Sequence, residues 1–253
     1  MNVKPLLVAW SLVLFGVAGL PLRAGPDAGQ IVRDAFNHYR GLASHARMRM
    51  TIHRPEWERT QEIEAWTRGE TDAVIIVTAP ARDRGNGTLK RGRQMWTYNP
   101  RVNWVIKLPP SLMSQAWMGS DFTNNDVARS DTILVDYTHE LVDERTVDGH
   151  TVYTIRLTPK PGAPVVWGFE EIEIRDDHIM LEERFYDQDG NLVKRLVASD
   201  ITELGGRRLP RVMTMYPVNE DDRFTRIEYL ELTFYESLPD RYFTEAFLRN
   251  PRE

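Results

Sequence analysis

The chain is 253 residues long, with a formal net charge of −5, 42% hydrophobic residues and no cysteine. That length suits one domain, especially a large β domain. The missing cysteine excludes disulfides, a thiol nucleophile, cysteine-ligated zinc and a lipid-modified N-terminal cysteine, and a net acidic surface is not drawn to nucleic acid or to an anionic bilayer face.

The chain opens with Lys4, the apolar run "PLLVAWSLVLFGVAGL" and "LRA" ending at Ala24. A basic start, an apolar stretch and a small residue at the break describe a secretory signal peptide over residues 1–24. The competing reading is a transmembrane anchor, for which the run is short. Cleavage would remove Lys4 and Arg23 and take the formal charge from −5 to −7. Residues 25–253 are then expected to form one exported domain.

"DAGQIVRDAFNHYRGL" predicts an amphipathic helix with Ile31, Val32, Ala35, Phe36, Tyr39 and Leu42 on one side and Gly41 near its stop. From "HARMRMTIH" onward the period changes to two: Met48, Met50 and Ile52 alternate with polar residues, as in a strand with one wet face. Strands are predicted at "EIEAWTRG", "TDAVIIVTAP" and on both sides of "NPR" in "QMWTYNPRVNWVIKLPP", with "RDRGNG" as a turn. Alternation fails only around "QAWMGSDFTNNDV", where short helical turns are expected. Beyond residue 138 strands resume, turning at Asp148-Gly149, Asp176-Asp177 and Asp189-Gly190. Ten or eleven strands with few helices indicate antiparallel β rather than alternating βαβ.

Catalytic and metal motifs are nearly absent. No two of the six histidines stand at helical ligand spacing, and "THEL" lacks a second histidine. "MGSDF" lacks the second glycine of a nucleophile elbow, so a hydrolase built on Ser120 has no support beyond the serine itself. Asp121, Asn124, Asn125 and Asp126 have the chemistry to collect around calcium, but caps and turns use the same residue types. "DQDGN" carries alternating ligand types at Asp187, Asp189 and Asn191 without the distal Glu of a calcium loop. No cofactor, metal or catalytic residue is expected.

Soft apolar residues are plentiful instead. Met48 and Met50, Trp96 and Tyr98, Trp104 and Ile106, and Met213 and Met215 are paired at period two, with Trp66 and Trp167 in addition. Each is readable as ordinary core. Together they imply a large sheet with one apolar face and little to cover it, which calls for closure, a second sheet, or a helical lid over a cavity. Met48, Met50, Trp66, Trp96, Trp104, Met213 and Met215 are the candidate walls, and Met113, Trp117, Met118 and Phe122 the candidate lid.

The segments "QMWTYNPRVNWVIKLP", "WMGSDFTNNDV", "VDGHTVYTIRLTPK", "FYDQDGNLVKRL", "GGRRLPRVMTM" and "YFTEAFLRN", in that order, resemble the bacterial outer-membrane lipoprotein-sorting family, relatives of the carrier LolA, over residues 28 to 249. The resemblance implies an unclosed β-barrel, a curved antiparallel sheet around helices, whose cavity accepts acyl chains. It implies a periplasmic carrier of lipoproteins or lipids, with an inner-membrane transporter and an outer-membrane acceptor as partners. The alternative it leaves open is a lipid-sensing regulator that binds an inner-membrane signalling partner.

Overall fold

The structure, a computed structural model, describes residues 26–128 and 132–251. The expected signal segment lies outside these residues. Helix α1 spans Ala28–Arg40, capped by the Asp27 carboxylate, which accepts from the Gly29 and Gln30 amides at 2.9 and 3.2 Å. The helix ends at Arg40, two residues before Leu42, because Gly41 takes φ 66°, a left-handed turn that a side chain resists. Leu42, read from the periodicity as part of the helix's apolar side, is therefore exposed.

The first group of strands is β1 (Ala43–Arg54), β2 (Trp57–Arg68), β3 (Asp72–Ala79), β4 (Gly87–Arg91), β5 (Gln94–Asn99) and β6 (Trp104–Lys107). The second is β7 (Tyr137–Val147), β8 (His150–Pro159), β9 (Phe169–Arg175), β10 (Met180–Tyr186), β11 (Leu192–Leu204), β12 (Arg207–Pro217) and β13 (Phe224–Tyr235). All are antiparallel neighbours in one 13-stranded sheet of order β6-β5-β4-β3-β2-β1-β13-β12-β11-β10-β9-β8-β7. The sheet is not closed, as the sequence resemblance implies. Thirteen strands exceed the ten or eleven expected; β4, only five residues long, starts at Gly87, the last residue of the "RDRGNG" turn, and is not among the predicted strands.

The order has a simple logic. Hairpins carry the chain from β1 outward to the edge at β6. It re-enters at the opposite edge, β7, and returns strand by strand until β13 pairs with β1. Residues 108–136 join the two edges and must cross a face of the sheet. They contain α2 (Asn124–Ala128) and 3-10 turns at Pro110–Leu112, Trp117–Gly119 and Thr132–Leu134.

Cross-strand register fixes which side chains share a face, because directly paired residues point the same way. Met48 pairs with Ile63, Ile63 with Val77, Met50 with Ile227, and Ile227 with Met213. These lie on the face crossed by residues 108–136, here called the inner face. Further along it, α1 packs Ala28, Val32 and Ala35 against Ile155, Leu157, Ile172 and Ile174 of β8 and β9. Trp66, Val74, Leu89 and Trp96 pair in sequence on the opposite face. There the C-terminal helix α3 (Glu245–Arg249) and the preceding 3-10 turn cover them with Phe243, Phe247 and Leu248.

Close backbone approach constrains one glycine sharply. A Cβ on Gly168 would stand 2.1 Å from the Asp187 carbonyl oxygen and 2.7 Å from its carbon, both backbone atoms of the turn after β10. Gly168→Ala is therefore expected to lower the unfolding free energy by about 3 kcal/mol, measured by urea titration. A loss below about 0.5 kcal/mol, the ordinary surface value, would show that this approach does not shape the β9–β10 hairpin.

Candidate functional site

The site is the layer between the inner face and the crossing segment. One apolar cluster unites Met48, Met50, Met213 and Met215 of the sheet with Met113, Trp117 and Phe122 of the segment, and Met118 packs against it. Trp117 is buried, and its indole N–H donates to Thr88 Oγ1 on β4 at 2.9 Å. The segment bearing "QAWMGSDFTNNDV" thus lies over the sheet rather than projecting into solvent.

The candidate wall residues do not all meet there. Trp66 and Trp96 belong to the opposite face, in or against the cluster beneath α3. A small cavity of about 200 Å³ adjoins Trp66, between Ile76 and Phe247. Trp104 shares the inner-face parity through its pairing with Asn99, yet it sits on the edge strand and is 64% exposed. The period-two pattern names residues that share a face of one strand; it does not say which face, and that is why Trp66 and Trp96 were grouped with the methionines.

The polar residues of the segment form a latch. The Asp121 carboxylate is fully buried and accepts from both Arg54 terminal nitrogens at 3.0 Å, from Arg223 Nε at 2.8 Å and from the Thr225 hydroxyl at 2.7 Å. Its own amide donates to Thr225 Oγ1 at 3.0 Å. Arg59 donates to the Met118 carbonyl. Residues of β1, β2 and β13, with Arg223 just before β13, therefore grip one loop. Breaking such a pair from one side strands a buried charge, at a cost of about 3–5 kcal/mol.

Asp121 consequently does not cap a helix, as its position in the sequence suggested. Of the residues with calcium-ligand chemistry, both carboxylates are paired with protein cations, Asp121 with Arg54 and Arg223 and Asp126 with Lys194. Asp126 pairs with Lys194 of β11, whose side chain is almost wholly buried, donates to the Asp121 carbonyl at 3.3 Å and lies 4.9 and 5.1 Å from the Trp167 and Phe185 rings. Thr123 does act as a cap: its hydroxyl accepts from the Asp126 amide at 3.1 Å while Asp126 Oδ2 accepts from the Thr123 amide at 2.7 Å. Ser120 is buried, and its hydroxyl donates to the Trp117 carbonyl at 2.7 Å and accepts from the Phe122 amide at 3.2 Å. It is a turn residue in this setting.

Beside Lys194 stand two acids that the sequence reading passed over. Glu170 of β9 and Glu183 of β10 share a hydrogen bond, and the Tyr137 hydroxyl donates to Glu170 Oε1 at 2.5 Å. Burial raises Glu170 to about 7, against the opposing hydrogen bonds of Tyr137 and Glu183, while the Asp126 charge adds to the rise. Burial and then the Glu170 charge push Glu183 well above the usual carboxylate range. A signal for these residues exists in the sequence: Glu170 alternates with Ile172 and Ile174, and Lys194 with Leu196 and Ala198, placing charges on an otherwise apolar face.

A carboxyl raised in the folded state holds its proton where the unfolded chain has lost it, so folding is favoured at low pH and that contribution fades as pH rises. For Glu170 the window runs from the ordinary 4.5 to about 7. Stability measured by thermal unfolding is expected to fall with pH across this window. The variant carrying Glu170→Gln and Glu183→Gln is expected to lose most of that fall; an unchanged slope would contradict the assignment.

A family model described as an uncharacterized protein matches residues 69–250. No curated protein matches the chain. Among solved structures, a DUF1329 family protein from Desulfovibrio piger is 24% identical over 88% of this chain and 100% of its own, with a TM-score of 0.79. A LolA superfamily protein from Nitrosomonas europaea is 21% identical over 88% and 99%, with a TM-score of 0.74. An outer membrane lipoprotein-sorting protein domain from Vibrio parahaemolyticus is 18% identical over 88% and 98%, with a TM-score of 0.78. At such identities the likeness establishes the fold: this chain has the LolA-like unclosed barrel.

Proposed function

We propose, for a chain that belongs to the family of uncharacterized proteins matched over residues 69–250 and that has the LolA-like fold, a role as a periplasmic carrier of acyl chains. Its cargo is a lipid or a lipoprotein, received from an inner-membrane transporter and passed to an outer-membrane acceptor. The observation that carries this reading is the methionine-rich layer in which Met48, Met50, Met213 and Met215 pack against Met113, Trp117 and Phe122.

Methionine side chains are unbranched and adapt to irregular apolar shapes, so a layer made of them can repack around a chain of variable length. Each methylene moved from water into that layer contributes about 0.8 kcal/mol, and six or seven contribute about 5 kcal/mol. In the structure the layer is filled by the crossing segment. Cargo enters by displacing Trp117 and Phe122, and the charges around Asp121 set what that displacement costs. A site that must also release its cargo needs such an opposing term, since unopposed apolar burial would hold a long chain too firmly. The lipoprotein-sorting domain of similar fold supports this reading through its own described role.

Native mass spectrometry of the protein purified from its native envelope tests the proposal. A bound acyl lipid, displaceable by added fatty acid, is the expected result. Protein that carries no lipid and does not bind fluorescent fatty acids would overturn it.

A further inference from the structure

The charge of this chain is unevenly spread. Residues 80–110 contain seven Lys or Arg and one acidic residue, Asp83, in a protein whose formal net charge is −5. Several of these cations gather at one end of the open edge. Arg101, at the tip of the β5–β6 hairpin, donates from Nη2 to the Arg82 carbonyl of the β3–β4 connection at 2.9 Å. Arg249 of α3 donates to the Asn103 carbonyl in the same tip at 3.3 Å, and exposed Lys107 lies 5.7 Å from the Trp96 ring. The nearby acids are Asp83, 3.5 Å from Arg82, and Glu245, 3.9 Å from Arg249.

The same tip presents apolar side chains to water. Val102 and Trp104 are each 64% exposed and Ile106 is 40% exposed. Such a concentration on a surface hairpin marks an interaction site rather than stray exposure. Trp beside Arg and Lys is the combination that settles at a membrane interface, with the ring at headgroup level and the cations on anionic lipid.

We infer that the β5–β6 hairpin docks on an anionic bilayer surface, with Val102, Trp104 and Ile106 in the interface and Arg101 and Arg82 against lipid phosphates. An acidic peptide is the less suitable occupant. The open edge offers only the four residues of β6 before Pro109 and Pro110, which have no amide hydrogen to donate, so it makes a poor template for an added strand. The tip is also a projection, whereas peptides are taken in grooves or along longer edges. The net negative charge of the whole chain argues against membrane affinity, but attraction over a Debye length of about 8 Å is decided by the local patch. This proposal stands whether or not the inner layer takes an acyl chain.

The absence of cysteine makes a local test direct. An environment-sensitive dye is attached to Val102→Cys in the full chain, and in a control to Val147→Cys, an exposed valine at the end of edge strand β7. With vesicles of about three parts phosphatidylcholine to one part phosphatidylglycerol, the dye at 102 is expected to shift to the blue while the dye at 147 does not. Arg101→Gln is expected to reduce partitioning measured by the 102 probe about fivefold. Trp104→Ser should reduce it about tenfold. No response at 102, an equal response at 147, or equal binding to pure phosphatidylcholine unaffected by Arg101→Gln would overturn the proposal. A response to poly-glutamate without one to vesicles would overturn it as well, assigning the surface to an acidic protein partner.

Discussion

Connecting two open edges of one sheet constrains everything else in this molecule. Hairpins are local and leave no choice of path, but the passage from β6 to β7 joins strands at opposite ends of a 13-strand order. A segment making that passage has to lie across a face, and its backbone polar groups and side chains must be satisfied there. The inner face meets the requirement with methionine, isoleucine and alanine from β1, β2, β11 and β12. The segment answers with Met113, Trp117 and Phe122. The apolar layer is thus a consequence of topology, and what covers the methionines there is a connection rather than a strand of the sheet.

Charge restrains that connection without making it part of the core. Arg54, Arg223 and Thr225 hold the Asp121 carboxylate in the middle of it, and Lys194 holds Asp126 a few residues further along. Buried pairs of this kind contribute little net stability compared with an apolar replacement, yet breaking one from a single side is costly. They therefore fix where the segment sits more than how strongly the domain folds. Glu170 and Glu183 add a proton-dependent element beside Lys194, on β9 and β10.

Much of the fold was legible in the residues. The two-residue period from Met48 onward and the turn at Asp148-Gly149, with φ of 50° and 81°, appear where the pattern placed them. The failure of alternation near residue 117 marked the crossing segment, whose Trp117 is buried against β4. What stayed illegible was which face each strand turns inward. Trp66 and Trp96 looked equivalent to the methionines, and only the register with β3 and β4 separates them. The latch was hidden for a related reason: Asp121 and its partners are separated by tens of residues in sequence, and a capping role explains the same residue types locally. Trp104 shows the opposite error, since an aromatic in a strand is usually core but the last strand of an open edge has nothing above it.

The central claim is that an acyl chain occupies the layer between the methionine pairs and the crossing segment. Methyl resonances of the nine methionines, followed during titration with a fatty acid spin-labelled near its methyl end, test it most directly. The account predicts strong broadening at Met48, Met50, Met213 and Met215, which share one buried cluster with Met95 and with Met113 of the segment. Broadening confined to residues outside the inner face, or none while the fatty acid binds, would contradict it.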